Sequence, residues 1–469
     1  MEDRRNFIKK IGALGIGVFG FKNGSAEGVD EYADLGHSMD VNMNDYQAPK
    51  LDVVRVGFVG LGNRGGIAVP RINHIKNVSI NALCDIRPEK AYAAQKTLAQ
   101  SHNTHSPAIY TGKNDWKKLC ERRDIDVVYI CTQWDLHIPI ATYAMECGKH
   151  VALEVGPASS VSECWRLVKA SERYQRHCIF LENCCYDFFE LLTLNMARKG
   201  FFGEIIHCDG AYIHDIAESL FEKDYRYNYW RLRENAGRNG NLYPTHGLGP
   251  ICNALNINRG DKLDFLVSMS SKDFTLKKIQ KNVQKSDLPK SETFSYERFR
   301  GNMNTSIIQT TKGKTIMLQH DTSSPRVYSR IYQISGTEAA AQKYPLPGKI
   351  SVGHEDWLSQ KEMEEIERKF TLPLVKKMGE IAKQIGGHGG MDFLMDWRWV
   401  DCLRNGLPID HNVYDAALWR VIAPLTEESV SNRSRSIRIP DFTRGNWKKN
   451  KPSDFSIEHG NLSEVKGGI

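Results

Sequence analysis

A run of β-branched and apolar residues, VVRVGFV (53–59), leads directly into Gly60-Leu61-Gly62-Asn63-Arg64-Gly65, and a helix-like pattern follows through Ile67, Ile72 and Ile75. A strand that turns through glycines into a helix is a demanding sequence. The glycines allow a tight turn and let backbone N–H groups approach a phosphate at the helix N-terminus. The next apolar run, VSINALCD, ends on Asp85, where an acidic side chain reaches ribose hydroxyls. Strand, turn, helix and acid in register predict a dinucleotide site, which a lone glycine motif would not. A carboxylate at 85 repels a 2′-phosphate, so the expected cofactor is NAD rather than NADP, with Arg87 nearby as an opposing charge.

The alternation continues through DVVYICT (126–132), a helix from Ile138 to Cys147, HVALEV, the helix SECWRLVKASERYQ and the strand HCIFLEN. Strands and helices at this spacing predict a doubly wound parallel sheet, a Rossmann domain assigned to residues 52–177. Beyond 178, GEIIHCDGAYIHD, KLDFLVSMSS, TSIIQTTKGKTIMLQHDTSS and YSRIYQISGTEAAA read as extended strands. They predict a C-terminal α/β domain over 178–446 with an open, mostly antiparallel sheet. Polar helices around Trp357 to Lys369 and Asp392 to Arg404, and a returning helix from Val413 to Val430, complete it. Residues 27–51 read as a linker and 447–469 as a loosely held polar tail.

A chain of 469 residues is too long for one core, and 41% hydrophobic with 25% charged residues is ordinary for a soluble protein. A net charge of +7 spread along the chain does not form the concentrated basic footprint of a nucleic-acid binder, so no nucleic-acid partner is expected. The first residues, MEDRRNFIKKIGALGIGVFGF, place Arg4 and Arg5 ahead of an apolar run from Ile11 to Phe21 that is too short for a stable membrane span. Small, polar KNGSAEG follows, so 1–26 resembles a twin-arginine export signal cleaved near Ala26; the other reading is a basic terminus beside an interfacial helix. None of the eleven cysteines sits in a CxxC or Cys/His spacing, so no metal is expected. Unpaired thiols in apolar runs imply folding, and cofactor loading, in a reducing compartment. Export after folding to the periplasm or cell surface is compatible with that. Homo-oligomerisation stays open.

CTQWDLHIPIA has the form of the C-T-P-x-x-x-H turn, and HVALEVGPA that of the H-V-x-x-E-K-P segment, of the Gfo/Idh/MocA oxidoreductases. LENCCYD, GEIIHCDGAYIHD, YWRLRENAGRNGNLYPTHGLGP, GGHGGMDFLMDWR and IPDFTRGNW resemble one branch, the NAD-dependent glycoside hydrolases of family 109, known for α-N-acetylgalactosaminidase activity. The resemblance covers nearly all of the chain after residue 52. It implies a tightly bound NAD recycled at each turnover and a glycan or glycoconjugate substrate ending in N-acetylgalactosamine. Its implied cofactor contacts are Gly60, Gly62, Asn63, Arg64, Gly65, Asp85, the turn of Trp134, Asp135, Leu136 and His137, then Glu154, Val155 and Asn183. Substrate contacts would come from Tyr212, Arg231, Tyr243, His246 and Tyr328. Plainer readings stand beside these: Asn183 as a helix cap, Trp134 as packing, Tyr212 as a strand tyrosine.

Direct glycoside hydrolysis needs two carboxylates flanking the bond, and no Asp/Glu pair is defensible here by spacing. Oxidation at C3 of the sugar, loss of the C2 proton, departure of the C1 aglycone, addition of water and re-reduction avoid that need. The related dehydrogenases carry a lysine where this chain has Val155, so proton handling must move, to His246 or Tyr243 in the glycine- and proline-bounded loop LYPTHGLGP. His388, among four glycines, is a further catalytic candidate; His214 and Asp215 rank below it, since His-Asp at a strand end is often only a turn. Two alternatives remain: an NAD(P)-dependent sugar oxidoreductase of the glucose-fructose oxidoreductase type, and a non-catalytic NAD-binding sensor or scaffold.

Overall fold

The computed structural model describes residues 41–100, 106–222, 227–283 and 298–466. The expected export segment, 1–26, lies outside the described residues, as does the linker as far as residue 40. Strands β1 (Val54–Val59), β2 (Val78–Cys84), β3 (Ala108–Tyr110), β4 (Val127–Ile130), β5 (His150–Glu154) and β6 (Cys178–Leu181) make a parallel sheet in the order β3-β2-β1-β4-β5-β6. Helices α1 (Asn63–Asn73), α2 (Pro88–Gln100), α3 (Asp115–Cys120), α4 (His137–Glu146) and α5 (Val161–Tyr174) connect them. Strands covered on both faces must be apolar on both, which is why β4 and β5 are buried throughout. The strand order reverses between β1 and β4, the switch point outside whose strand carboxyl ends doubly wound sheets bind their ligands. The glycine turn leaves β1 and the CTQWDLH turn leaves β4, so both lie at that point.

The sheet extends past the expected boundary at 177/178. HCIFLEN pairs in register with β5, from Val151↔Cys178 to Glu154↔Leu181. A change from alternating helices and strands to long strands marks the next sheet; it does not mark the end of the first.

The second sheet contains β7 (Ile205–Ile213), β8 (Leu263–Ser270), β9 (Met303–Thr310), β10 (Thr315–Asp321), β11 (Gln333–Gly336), β12 (Ala339–Gln342), β13 (Lys349–Val352) and β14 (Ile437–Arg438). Its order is β13-β12-β11-β7-β10-β9-β8-β14. Only the β7–β10 pairing is parallel, and the rest are antiparallel. The helices of this half of the chain are α6 (Phe188–Arg198), α7 (Trp230–Gly237), α8 (Thr245–Ala254), α9 (Leu276–Asn282), α10 (Gln360–Phe370), α11 (Pro373–Ile385), α12 (Met391–Asn405) and α13 (Val413–Ser431), of which α12 lies against α1 and β1 of the first sheet. Helix α8 lies hard against β7. A Cβ on Gly247 would fall 2.5 Å from the Ala211 nitrogen, and one on Gly210 would fall 2.5 Å from the Gly247 carbonyl oxygen. Two facing glycines let helix and strand backbones touch.

Three expectations change. Helix α12, expected to be polar, is buried along nearly its whole length, with Asp392 and Asp396 paired to Arg71 of α1 and its own Arg398 paired to Asp410. The tail is not loose: Phe455 is buried, the Trp397 indole N–H donates to the Ser463 carbonyl at 3.0 Å, and Val465 bridges to Ile75. Residues 41–51 of the linker also dock, with Met43 and Ala48 buried and Leu51 N–H bonded to the Leu403 carbonyl at 3.1 Å. In each case the partner is remote in sequence, so local composition could not announce it. No helix among the described residues is long and apolar enough to cross a membrane.

Candidate active site

Gly60 has φ +90°, and a Cβ there would meet the Cys131 carbonyl oxygen at 2.6 Å; a Cβ on Gly65 would strike the Gly60 oxygen at 1.9 Å. Those two glycines serve the turn and the helix–strand packing. A Cβ on Gly62 would meet only the Arg87 guanidinium, at 3.3 Å, so its open backbone is the place for a close-approaching pyrophosphate. Asn63 begins α1 beside it. Asp85 accepts from Leu61 N–H at 2.7 Å and Arg87 N–H at 2.9 Å, which fixes its carboxylate at the end of β2. These residues fit a dinucleotide: glycines for the phosphates, a helix N-terminus, and an acid for the ribose.

Arg64 turns inward. Its guanidinium donates to Glu154 at 3.1 Å and to Asp392 at 3.0 Å. Asp392, fully buried, also accepts from Arg71 at 3.3 Å, from the Asn183 amide at 2.6 Å and lies 2.9 Å from His388 Nδ1. Burial pushes the Asp392 carboxyl up, but the His388 hydrogen bond and the Arg64 and Arg71 charges prevail and hold it well below the usual carboxylate range. Asn183 therefore does not cap the next helix; Asp187 does, accepting from Phe189 N–H at 3.2 Å. His388 has φ +48° between glycines that also have positive φ, and more than half its side chain is exposed. Val155 is buried, its N–H 3.2 Å from the Glu154 carboxylate, so an apolar wall stands where a lysine would bring a charge.

The second cluster is aromatic. The Gly210–Gly247 contact sets Tyr212 of β7 beside His246 of α8, with ring centroids 5.3 Å apart. Tyr243 lies 4.5 Å from Tyr212 and 4.8 Å from His246. Arg231 sits over the rings of Tyr243 and Trp134, at 5.1 and 5.3 Å. Tyr328 faces Tyr212 edge-on at 6.4 Å, and the Arg330 guanidinium donates to its hydroxyl at 3.3 Å. Burial raises the Tyr243 hydroxyl well above its ordinary pKa, and burial likewise raises that of Tyr328. At neutral pH both are hydrogen-bond donors rather than bases. His246 is held differently, with Nδ1 at 2.8 and 3.0 Å from the two oxygens of Glu182. Its Nε2 has no hydrogen-bond partner among the described residues.

Some expected residues are placed otherwise. His137 is buried between the Thr132 carbonyl, 3.0 Å from Nε2, and Arg420, 3.2 Å from Nδ1. Burial and the Arg420 charge push its pKa down to about 3. It braces the CTQWDLH turn from behind as a neutral ring. Trp134 packs edge-on against Trp230 at 4.9 Å, so its packing role is real. Asp135 points to solvent and accepts from the Gln133 amide at 3.2 Å, while Leu136 is half-buried. His214 does join the cleft, its Nδ1 2.9 Å from the Tyr212 hydroxyl, whereas Asp215 holds a turn by accepting from Ala217 N–H at 3.1 Å.

Sequence reasoning missed Glu182, Asp392 and Arg71. The E of LENCCYD and the D of GGHGGMD lie inside motifs already singled out, but nothing local shows that each is a buried carboxylate with a distant partner. Spacing pointed to no metal site; the fold nevertheless brings one ligand atom each of Glu182, Cys184 and His246 within 4.8 Å of one another. Burial raises the Cys184 thiol well above its ordinary pKa, so the group presents a carboxylate–imidazole pair beside a protonated thiol.

A doubly wound dinucleotide fold whose glycine turn faces a cleft of tyrosine, histidine and arginine side chains defines a two-domain, NAD-binding enzyme of the oxidoreductase type. Residues 54–181 match the model described as "Oxidoreductase family, NAD-binding Rossmann fold", and residues 186–449 match "Glycosyl hydrolase 109, C-terminal domain". The chain is 48% identical over 417 residues to "Glycosyl hydrolase family 109 protein 1" of Phocaeicola vulgatus, covering 86% of each chain. It is 46% identical to an "Alpha-N-acetylgalactosaminidase" of Bacteroides fragilis, covering 86% of this chain and 94% of that one. The protein belongs to glycosyl hydrolase family 109. Its fold is shared with a levoglucosan dehydrogenase solved with NADH and levoglucosan, at TM-score 0.62 and 16% identity over 82% of this chain and 99% of that one. Scyllo-inositol dehydrogenase of Lactobacillus casei, solved with NAD(H) and scyllo-inositol, aligns at TM-score 0.59 and 14% identity over the same shares of the two chains.

Removing one partner of a buried ionic cluster leaves the others uncompensated, so Asp392→Asn is expected to cost about 3 kcal/mol at neutral pH. The native carboxyl is held below its unfolded value, so its contribution is complete above about pH 4 and is lost as pH falls towards the folded value. In urea unfolding, the gap between wild type and Asp392→Asn should therefore shrink at about pH 3. A gap of the same size at both pH values would contradict this electrostatic account.

Proposed function

We propose that the protein hydrolyses terminal α-linked N-acetylgalactosamine from a glycan or glycoconjugate by a redox-neutral cycle on a tightly retained NAD. One observation carries the reading: position 155 is a buried valine, and the His246 imidazole stands beside Tyr212 and Tyr243 with Nδ1 on Glu182 and no partner for Nε2 among the described residues. The glycine turn, Asp85 and the wall of Glu154 and Val155 hold the dinucleotide. When bound, NAD+ takes up the C3 hydrogen of the sugar as hydride and gives it back at the end of the cycle.

The chain's own residues supply the rest. His246 Nε2 accepts the C3 hydroxyl proton as C3 becomes a ketone, and that ketone acidifies the C2 hydrogen. Tyr243, Tyr328 and Arg231 donate hydrogen bonds or positive charge where the enolate oxygen develops. A second base takes the C2 proton, the electron pair left on C2 expels the aglycone from C1 with its bonding pair, and water then adds to the enone at C1 as a proton returns to C2. His246 then returns its proton to O3 as C3 is reduced. His388, anchored on Asp392 at the cofactor side of the cleft, is placed to serve the departing aglycone or the entering water. A net sugar oxidoreductase would release reduced cofactor in proportion to substrate; this cycle releases none.

The purified protein is expected to release phenol from an aryl α-N-acetylgalactosaminide without added NAD and without net NADH. His246→Ala should retain bound NAD while kcat drops by a factor of roughly 10² or more. Stoichiometric NADH would sink the hydrolase reading, and a His246→Ala enzyme of near wild-type rate would sink the assignment of the proton to His246. We also propose that residues 1–26 direct export of the folded, loaded protein. The paired Arg4 and Arg5 and eleven unpaired cysteines support this. In a host with the twin-arginine route, Arg4→Lys with Arg5→Lys should leave the protein in the cytoplasm; unchanged export would refute it.

A further inference from the structure

His246 stands in the first turn of α8, its ring clamped edge-on by Tyr212 and Tyr243 at interplanar angles of 74° and 88°. Nδ1 faces Glu182, whose carboxylate is wholly buried at the end of β6. Glu182 has room there because Gly249, one turn along α8, has no side chain; a Cβ on it would fall 2.9 Å from the Glu182 Cγ. The carboxylate also accepts from Cys184 N–H at 3.1 Å. Burial alone would raise the Glu182 carboxyl, yet the His246 partner and these hydrogen bonds hold it below its ordinary value. Of the titratable groups packed around the pair, burial raises the pKa of Cys184, Cys185 and Tyr243 and lowers that of His411, which keeps all four neutral. Among these neighbours, Glu182 is the countercharge for a protonated His246.

We propose that Glu182 is the positioning residue of the reaction, fixing His246 with its proton on Nδ1 so that Nε2 is presented to the sugar as a bare acceptor. This rests on the reading that His246 handles the C3 hydroxyl proton. In the oxidation half the O–H pair becomes the C=O bond, the C3–H pair leaves to the nicotinamide ring, and the proton settles on Nε2. The imidazolium so formed faces the buried carboxylate, which stays ionised throughout. The reduction half reverses each transfer. A carboxylate from the end of the first domain's last strand thus sets the protonation state of a base on a helix of the second.

Glu182→Gln tests this in the NAD-loaded enzyme. An amide N–H donated to Nδ1 would move the ring proton to Nε2 and block it. NAD content and thermal unfolding should match wild type and KM should stay within about threefold, while kcat falls by about 10²–10⁴. The residual rate should climb with pH, as hydroxide replaces the lost base, and Glu182→Asp should recover part of kcat. Nitrogen-15 NMR of the histidines in the loaded wild-type enzyme, with His246 assigned through His246→Gln, should show the neutral Nδ1–H tautomer. Wild-type kcat and pH profile in Glu182→Gln, or an Nε2–H tautomer in the wild type, would overturn the proposal. Should Glu182→Gln fail to fold, the tautomer decides. If the wild type releases no phenol, the functional reading fails on its own while the tautomer measurement still stands.

Discussion

The fold turns on a buried ionic cluster in which Arg64 and Arg71 of the cofactor-binding helix α1 meet Asp392 and Asp396 of α12. Isolated charges in such a place would each cost several kcal/mol, so none is tolerable alone and together they fix one arrangement. Arg64 also reaches Glu154, while Asp392 gathers Asn183 and His388. One knot of charges thus joins the glycine turn, the end of β5, the segment after β6 and the GGHGG loop. A residue that sequence comparison would assign to cofactor contact, Arg64, is also a structural tie between the two halves of the chain.

The sugar side is built on shape rather than charge. Gly210 and Gly247 remove the side chains that would separate β7 from α8, and only that closeness brings Tyr212, Tyr243 and His246 into one wall. The division of labour follows from the environments. Burial keeps Tyr243 and Tyr328 protonated and donating, a buried carboxylate keeps one imidazole ready to accept, and Val155 keeps a competing cation away from the ring. A hydride acceptor opposite such a wall suits chemistry in which proton and hydride leave the same carbinol and later return.

What was legible in the sequence is what local rules govern. The glycine turn with its strand, helix and Asp85, the alternating elements of the first sheet and the long strands of the second each follow from periodicity and turn chemistry within a few tens of residues. What was not legible depends on partners far away in the chain. α12 reads as polar because its aspartates are charged, and only Arg64, Arg71 and Arg398 with Asp410 explain its burial. Glu182 looks like a strand-end acid until α8 brings His246 to it. His137 lies in a turn motif that suggests cofactor contact, yet the buried Arg420 and the Thr132 carbonyl claim its two ring nitrogens. Beyond the short 3-10 turn Asn446–Lys448, the tail to residue 466 lacks periodicity because it docks residue by residue.

The account stands or falls on whether the C2–H bond breaks during hydrolysis. Turnover of an aryl α-N-acetylgalactosaminide in deuterium oxide, with the released sugar read by proton NMR, asks that directly. The account predicts solvent deuterium at C2 and the original hydrogen retained at C3, since the hydride is stored on the cofactor and returned. A released sugar that keeps its C2 hydrogen, at any extent of turnover, would contradict it.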